Sequence, residues 1–285
     1  MHPPVCTALY CLDLLKNVMI HPLAYVHPDA KLGENVTVEP FAYIAAKVTI
    51  GDGCWIGPNA VINDGAVLGK ECKVFSGAVV AGIPQDLKFR GEETTAVIGD
   101  RTMIRECATV NRGTAAKQTT IVGSDTLIMA YAHVGHDCVV GNHCILANNV
   151  SLAGEVELDD WVILGGHTAI HQFCRVGKHA MTSGGTMVGK DIPPFIKVAH
   201  MPASYVGINS IGLRRRGFTS EQINEIMDIC RIMFQNGYSY GKACKILEEQ
   251  MPDSESRREM LNFFAGSKRG VIKPYQTRTK DQDEE

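Results

Sequence analysis

The chain has 285 residues, 45% of them hydrophobic and 21% charged, which is enough apolar material for a large packed core and excludes disorder as the general state. A formal net charge of −3 leaves no overall basic field to hold nucleic acid or an anionic membrane. No stretch reaches the roughly eighteen consecutive apolar residues of a membrane span. The 10 cysteines are dispersed, without paired C-x-x-C spacing, so the reading is a cytoplasmic protein with reduced thiols, no stable membrane insertion and no nucleic-acid partner.

Residues 1–18 carry no basic region ahead of their apolar stretch and no evident cleavage site, so they do not read as an export signal. They precede the dominant pattern and are expected to be a dispensable extension. From Ile20 onward an aliphatic residue recurs every six positions: Val26, Leu32, Val38, Ile44, Ile50, Ile56, Ile62, Leu68, Val74 and Val80. The ladder returns in phase at Ile98, Ile104 and Val110, then runs from Val122 to Val188. Between Ile20 and Val188 the exceptions are Asp86, Glu92, Ala116 and Thr182.

Four residues after each aliphatic position a small or β-branched residue stands, as at Ala42, Ala60, Ala78, Ala132 and Val150. Cys54, Cys72, Cys138, Cys144 and Cys174 share this place, which gives them a packing role. One large and one small apolar residue per six fits neither a helix nor a simple alternating strand. It fits a short strand followed by a tight bend. Three such units make a triangular coil of eighteen residues, and about ten stacked coils make a parallel β-helix over residues 19–191.

Two interruptions punctuate the ladder. Residues 81–97 form a polar stretch with Gly and Pro, after which the register of six resumes, as expected of a loop emerging from a continuing coil. A shorter break lies near Gly113 to Thr120. Pro193 and Pro194 then end the repeat. Thr219 with Gln222 forms a capping-box pattern ahead of helically spaced Ile223, Ile226, Met227, Cys230 and Phe234. Further helices are predicted over 242–250 and 254–264, so residues 192–272 read as a C-terminal helical domain and 273–285 as a charged, disordered tail.

Coil arithmetic makes one histidine informative. His136 stands two positions after Val134, and steps of eighteen from it reach Gly154 and Gln172. A titratable base, an unshielded backbone amide and an amide side chain would then share one column, an arrangement suited to acyl transfer to an alcohol. Asp137 follows His136 and can orient its ring. His143, His167, His179 and His200 have no such support.

The stretches AHVGHDCVVGNHCILANN, LAGEVELDDW, HTAIHQFCRVG, QDLKF, IGDRTMIRECATVNRGT and GLRRRGF together resemble the UDP-N-acetylglucosamine O-acyltransferases of lipid A synthesis. These are hexapeptide-repeat enzymes, and the likeness extends over nearly all of residues 19–272. The resemblance implies a left-handed β-helix, a hand that spacing alone does not give. It further implies a homotrimer with sites between neighbouring subunits, acyl carrier protein as donor through its phosphopantetheine thioester, UDP-N-acetylglucosamine as acceptor, and no cofactor or metal.

Carried over, the pattern makes His136 the general base with Asp137 as its partner and Gly154 as the oxyanion-holding amide. His133, His171, Gln172, Asn209, Arg215 and Arg216 would bind the nucleotide sugar, and Asp86 and Lys88 would contact it from the emergent loop. Gly184 matches a position that sets acyl-chain length. Three residues depart from the pattern: Glu155 and Asn111 replace histidines, and Ile211 replaces a glutamate.

Competing readings are a different acyltransferase on the same scaffold, a zinc β-helix of the carbonic anhydrase type, and a non-catalytic solenoid. The zinc reading needs a third ligand to complete His133/His136 or His167/His171, and no stacking column supplies one. Because the ladder starts at Ile20, a chain beginning at Met19 is expected to remain soluble and active. An insoluble or inactive product of that truncation would contradict this boundary.

Overall fold

A six-residue repeat can close into a triangle only if the backbone turns sharply once per repeat. The computed structural model describes residues 11–13 and 17–275, and in it the third residue after most ladder positions has a positive φ. Phe41 (63°), Asn59 (58°), Tyr131 (61°), Asp137 (59°), Asn149 (60°), Glu155 (59°) and Phe173 (67°) are examples. The residue after each closes the turn, as in Ala60 N–H to Gly57 O (3.2 Å) and Ala132 N–H to Met129 O (3.1 Å). These are type II turns, and Pro40 and Pro58 occupy the second position that type II favours.

The turn directs the small residue inward. Ala60, Ala78, Ala132, Val150 and the five ladder-phase cysteines are all buried, beside fully enclosed Ile44, Ile62, Leu146 and Leu164. Each enclosed aliphatic side chain contributes about 1.5–3 kcal/mol. Burial pushes the thiols of Cys138 and Cys144 up to about 12, consistent with packing groups rather than nucleophiles. Thr182, an exception in the ladder, is also buried; its hydroxyl lies 2.9 Å from that of Thr168 and accepts from Gly165 N–H at 3.0 Å.

Two-residue strands pair in parallel eighteen residues apart, as in Ile145 with Ile163 and Ile163 with Met181. Three sheets result, forming a left-handed parallel β-helix. The first face contains Leu127–Ile128, Ile145–Leu146 and Ile163–Leu164. The second contains His133–Val134, Ser151–Leu152 and Ala169–Ile170, and the third Val139–Val140, Glu157–Leu158 and Arg175–Val176. On the third–first edge, Asp52, Asp100, Asn142 and Asp160 each accept a backbone N–H from the coil beneath, at 3.0, 2.8, 2.9 and 2.7 Å. Asx side chains thereby satisfy turn amides that the sheets cannot reach.

Both interruptions leave from the second–third edge. Strands Val79–Gly82 and Thr95–Ile98 flank the first, so the loop proper spans 83–94 and is shorter than the sequence pattern indicates. Residues 112–118 form the second, between Thr109–Asn111 and Thr119–Val122. Asn111 Nδ2 donates to Ile83 O at 2.5 Å and Arg112 N–H to Gly82 O at 2.9 Å, so the bases of the two loops are tied together.

The ends of the first face differ from expectation. Cys11–Asp13, within the segment read as an extension, pairs antiparallel with Val18–Ile20. Most of residues 1–16, and 276–285 of the predicted tail, lie outside the described residues. Beyond Pro194 the chain is not yet helical: Ile196–Ala199 adds to Met181–Thr182 and pairs antiparallel with Ser204–Ile208. The prolines fall in the turn, where no ladder N–H is needed, so pairing resumes after them.

Helices follow as α1 (Ser210–Arg215), α2 (Ser220–Phe234), α3 (Tyr240–Gln250) and α4 (Glu255–Gly266). The Thr219–Gln222 capping box is present in both directions. Ile223, Ile226, Cys230 and Phe234 face the core. Among the described residues no helix is long and apolar enough to cross a membrane.

The inner corner tolerates little added volume. Ala132→Leu is predicted to destabilise the protein by about 1–3 kcal/mol through overpacking. An unchanged urea midpoint would contradict the corner geometry.

Candidate active site

His136 and Asp137 occupy the bend between Val134 on the second face and Val139 on the third. The left-handed conformation of Asp137 turns its carboxylate back toward the ring before it, and Oδ2 lies 2.8 Å from His136 Nδ1. Elsewhere in this column the side chain is accessible, with Phe173 49% exposed, yet Asp137 is fully buried. The 112–118 loop covers it. Thr114 donates through its N–H to Oδ1 (2.9 Å) and through its hydroxyl to Oδ2 (2.6 Å), and Lys117 N–H reaches Oδ1 at 3.2 Å. Asp137 N–H donates to Thr120 Oγ1 at 2.8 Å.

Burial pulls the Asp137 carboxyl upward, but the Thr114 hydroxyl, His136 and Thr114 N–H outweigh it and hold the group below the ordinary carboxylate range. An ionised Asp137 fixes the proton on His136 Nδ1 and leaves the Nε2 lone pair free. The ring remains partly open, with 12% of its side chain exposed.

Gly154 lies one coil above, and the ring covers it. A Cβ at Gly154 would overlap His136 Nε2 and stand 2.5 Å from Cε1, so any side chain there would displace the ring. The Gly154 N–H bonds to no other described residue. Gln172 follows one coil higher and is half-buried, while His171 is exposed with Nδ1 3.1 Å from Gln172 O. His133 lies on the second face with Nδ1 2.7 Å from Thr109 Oγ1. Burial, then the nearby His136, lowers its pKa, which keeps it neutral near pH 7. The emergent loop starts from this same edge; Asp86 Oδ1 accepts Lys88 N–H at 2.9 Å, and Lys88 is exposed.

The remaining predicted residues lie elsewhere on the prism. Asn209 is buried and caps α1: Oδ1 accepts Gly212 N–H at 3.3 Å, and Nδ2 donates to His179 O at 2.9 Å. Arg215 is exposed at the end of α1. Arg216 Nη1 lies 3.0 Å from His179 Nδ1 and its guanidinium 5.1 Å from the Trp161 ring centre. This group sits on the third–first edge. Gly184 is on the first–second edge, where an added Cβ would stand 3.2 Å from Gly166 O. One chain thus distributes these residues over three edges.

Sequence reasoning overlooked Thr114 and Lys117 and set His179 aside. The first two lie in an interruption, where periodicity carries no information. His179 was legible through coil arithmetic: eighteen-residue steps give His143, Trp161 and His179, which stack at 4.1 and 6.3 Å. Burial, then Arg216 and Lys178, lowers His179 to about 4, so it meets Arg216 as a neutral acceptor. Among the described residues no group of three or more His, Cys, Asp or Glu is placed to hold a metal ion.

Thr114→Val is predicted to cost about 1–3 kcal/mol of stability at pH 7, the range for losing a hydrogen bond to a charged group. Because the folded Asp137 pKa is depressed, that stabilisation is present above the unfolded carboxylate pKa and fades as pH falls through the folded value. The difference in urea stability between wild type and variant should therefore shrink in acid. An equal difference at both pH values would show that the hydroxyl does not support an ionised Asp137.

The protein matches two known families. Residues 191–272 match "Udp N-acetylglucosamine O-acyltransferase; Domain 2", and 15–46, 47–82 and 119–154 match "Bacterial transferase hexapeptide (six repeats)". An acyl-[acyl-carrier-protein]–UDP-N-acetylglucosamine O-acyltransferase from Janthinobacterium sp. (strain Marseille) is 45% identical over 260 residues, covering 90% of this chain and 99% of that one. A relative of the same name from Myxococcus xanthus is 49% identical over 255 residues, covering 89% and 99%. The crystal structure of a UDP-N-acetylglucosamine acyltransferase from Bacteroides fragilis superposes with a TM-score of 0.88 at 49% identity, covering 90% of this chain and all of that one. The chain belongs to the UDP-N-acetylglucosamine O-acyltransferase family.

Proposed function

We propose that the protein transfers a 3-hydroxyacyl group from acyl carrier protein to the 3-hydroxyl of UDP-N-acetylglucosamine, the first step of lipid A synthesis in the cytoplasm. The reaction class rests on the names of the relatives. The observation that carries the mechanism is His136, oriented by a buried Asp137, with its ring packed on Gly154, whose N–H bonds to no other described residue.

An alcohol is a poor nucleophile at neutral pH. His136 Nε2 takes the hydroxyl proton as the oxygen attacks the thioester carbonyl, and the resulting imidazolium is stabilised by Asp137. The carbonyl oxygen becomes an oxyanion held by Gly154 N–H. As the intermediate collapses, the C–S bond breaks and the thiolate takes the proton from His136 Nε2. An ester and a free carrier thiol result. Nothing is oxidised or reduced, and no cofactor is needed.

The active form in this reading is a homotrimer. Met103, Leu127, Ile145, Ile163 and Met181 point outward from the first face, an apolar stripe suited to burial between copies around a threefold axis. In this arrangement the first face of one copy packs on the second face of the next, which brings the third–first edge of one toward the second–third edge of its neighbour. Arg215 and Arg216 would then reach the diphosphate of a sugar held near His136, while His133, His171, Gln172, Asp86 and Lys88 contact the acceptor.

His136→Ala is predicted to lower turnover by about 10²–10⁴-fold, measured with UDP-N-acetylglucosamine and 3-hydroxyacyl carrier proteins, while nucleotide-sugar binding stays near normal. Retention of more than about a tenth of turnover would remove His136 from the role of general base.

At Gly184 the absence of a side chain leaves the acyl path open on its edge. Gly184→Met is predicted to shift preference toward shorter chains across a donor panel. An unchanged profile would overturn that assignment.

A further inference from the structure

Above Gln172 the column continues to Lys190, since Ala169 pairs with Met187 and Ile170 with Val188. The chain's last described segment returns to this point. Asp191 N–H donates to Gly270 O (3.0 Å) and Ile272 N–H to Asp191 O (3.1 Å), so residues 267–273 run beside 189–191. The Asp191 carboxylate is buried and accepts from Ser267 Oγ (2.7 Å) and Arg175 N–H (2.9 Å), which fixes the segment in place.

This junction gathers Lys190, Lys268, Arg269 and Lys273, all exposed, in a chain whose net charge is −3. Arg269 reaches Gly189 O at 3.5 Å; the ammonium groups of the three lysines bond to no described residue, although the Lys273 carbonyl accepts from Tyr205 N–H at 3.0 Å. Acidic groups nearby are mostly engaged. Glu157 is held by Lys117 (3.0 Å) and Arg175 (3.5 Å), and Asp191 is enclosed, which leaves Glu155. A cleft of about 560 Å³ lies between Phe173, Arg175, Lys268 and Arg269, with the carboxylates of Glu155, Glu157 and Asp191 also on its wall, and a second of about 310 Å³ lies against Lys190 and Lys273.

We propose that these four cations form the docking surface for the acyl carrier protein, an inference that rests on the function proposed above. The donor must present an acyl thioester on a flexible arm joined through a phosphodiester to an acidic protein, and exposed cations at the head of the catalytic column, none of them paired with a carboxylate among the described residues, complement both charges. Lys190 stands three coils from His136, about 14 Å at the spacing of paired strands, which an extended arm can bridge. Within one chain the proposed nucleotide-binding arginines lie on another edge of the prism.

The test compares wild type with Lys190→Glu/Lys268→Glu and, separately, Lys273→Glu, with folding checked by thermal unfolding. The KM for acyl carrier protein should rise by about tenfold or more in the double variant and lose much of its salt dependence, with kcat and the KM for UDP-N-acetylglucosamine nearly unchanged. The same acyl chain on free pantetheine should serve wild type and variants equally. A rise in the nucleotide-sugar KM instead, an unchanged carrier KM, or equal losses with the pantetheine donor would overturn the docking assignment. Wild type that cannot use the carrier at all would instead refute the proposed function.

Discussion

The structure depends on one backbone constraint: in most six-residue units, one residue must take the left-handed conformation. For residues other than glycine this costs on the order of 1–3 kcal/mol each, and it persists only where surrounding contacts over-determine it. Here those contacts are the ladder hydrogen bonds from coil to coil and the small residue that each turn drives into the core. The turn fixes the triangular section, and the triangular section fixes the step of eighteen. From that step come columns in which residues distant in sequence stand one strand spacing apart.

The candidate site is this constraint put to chemical use. Asp137 is itself a left-handed residue, so its carboxylate is aimed at the preceding ring by the same turn that closes the coil. What distinguishes it from Glu155 and Phe173 above it is the cover supplied by the 112–118 loop, which buries the carboxylate and surrounds it with donors. A buried carboxylate is stable only when so satisfied, and once satisfied it holds the imidazole in a single orientation. Gly154 completes the arrangement because the ring occupies the space a side chain would need.

Sequence made the periodic part legible and left the aperiodic part dark. The ladder, the inner corner with its cysteines and the His136–Gly154–Gln172 column all follow from fixed spacing. Thr114 could not be found that way, because a loop inserted between coils has no register. Pro193 and Pro194 concealed the strands that follow them, since a proline forbids a ladder N–H only at its own position. Asn209 shows a different limit: its type and place suit a ligand, yet in the single chain both polar atoms of its side chain serve the α1 cap and the His179 carbonyl.

The three groups of candidate residues lie on different edges of one prism, and they can act together only if neighbouring copies supply them to a shared site. Subunit complementation tests this most directly. His136→Ala and Arg216→Ala chains, each deficient alone, would be co-assembled and assayed with acyl carrier donor and UDP-N-acetylglucosamine. If each site draws its base and its arginine from different copies, random mixing restores about a quarter of the sites, with activity in proportion. If both residues act within one chain, every site carries a defect and the mixture stays as inactive as its parents, which would contradict the account.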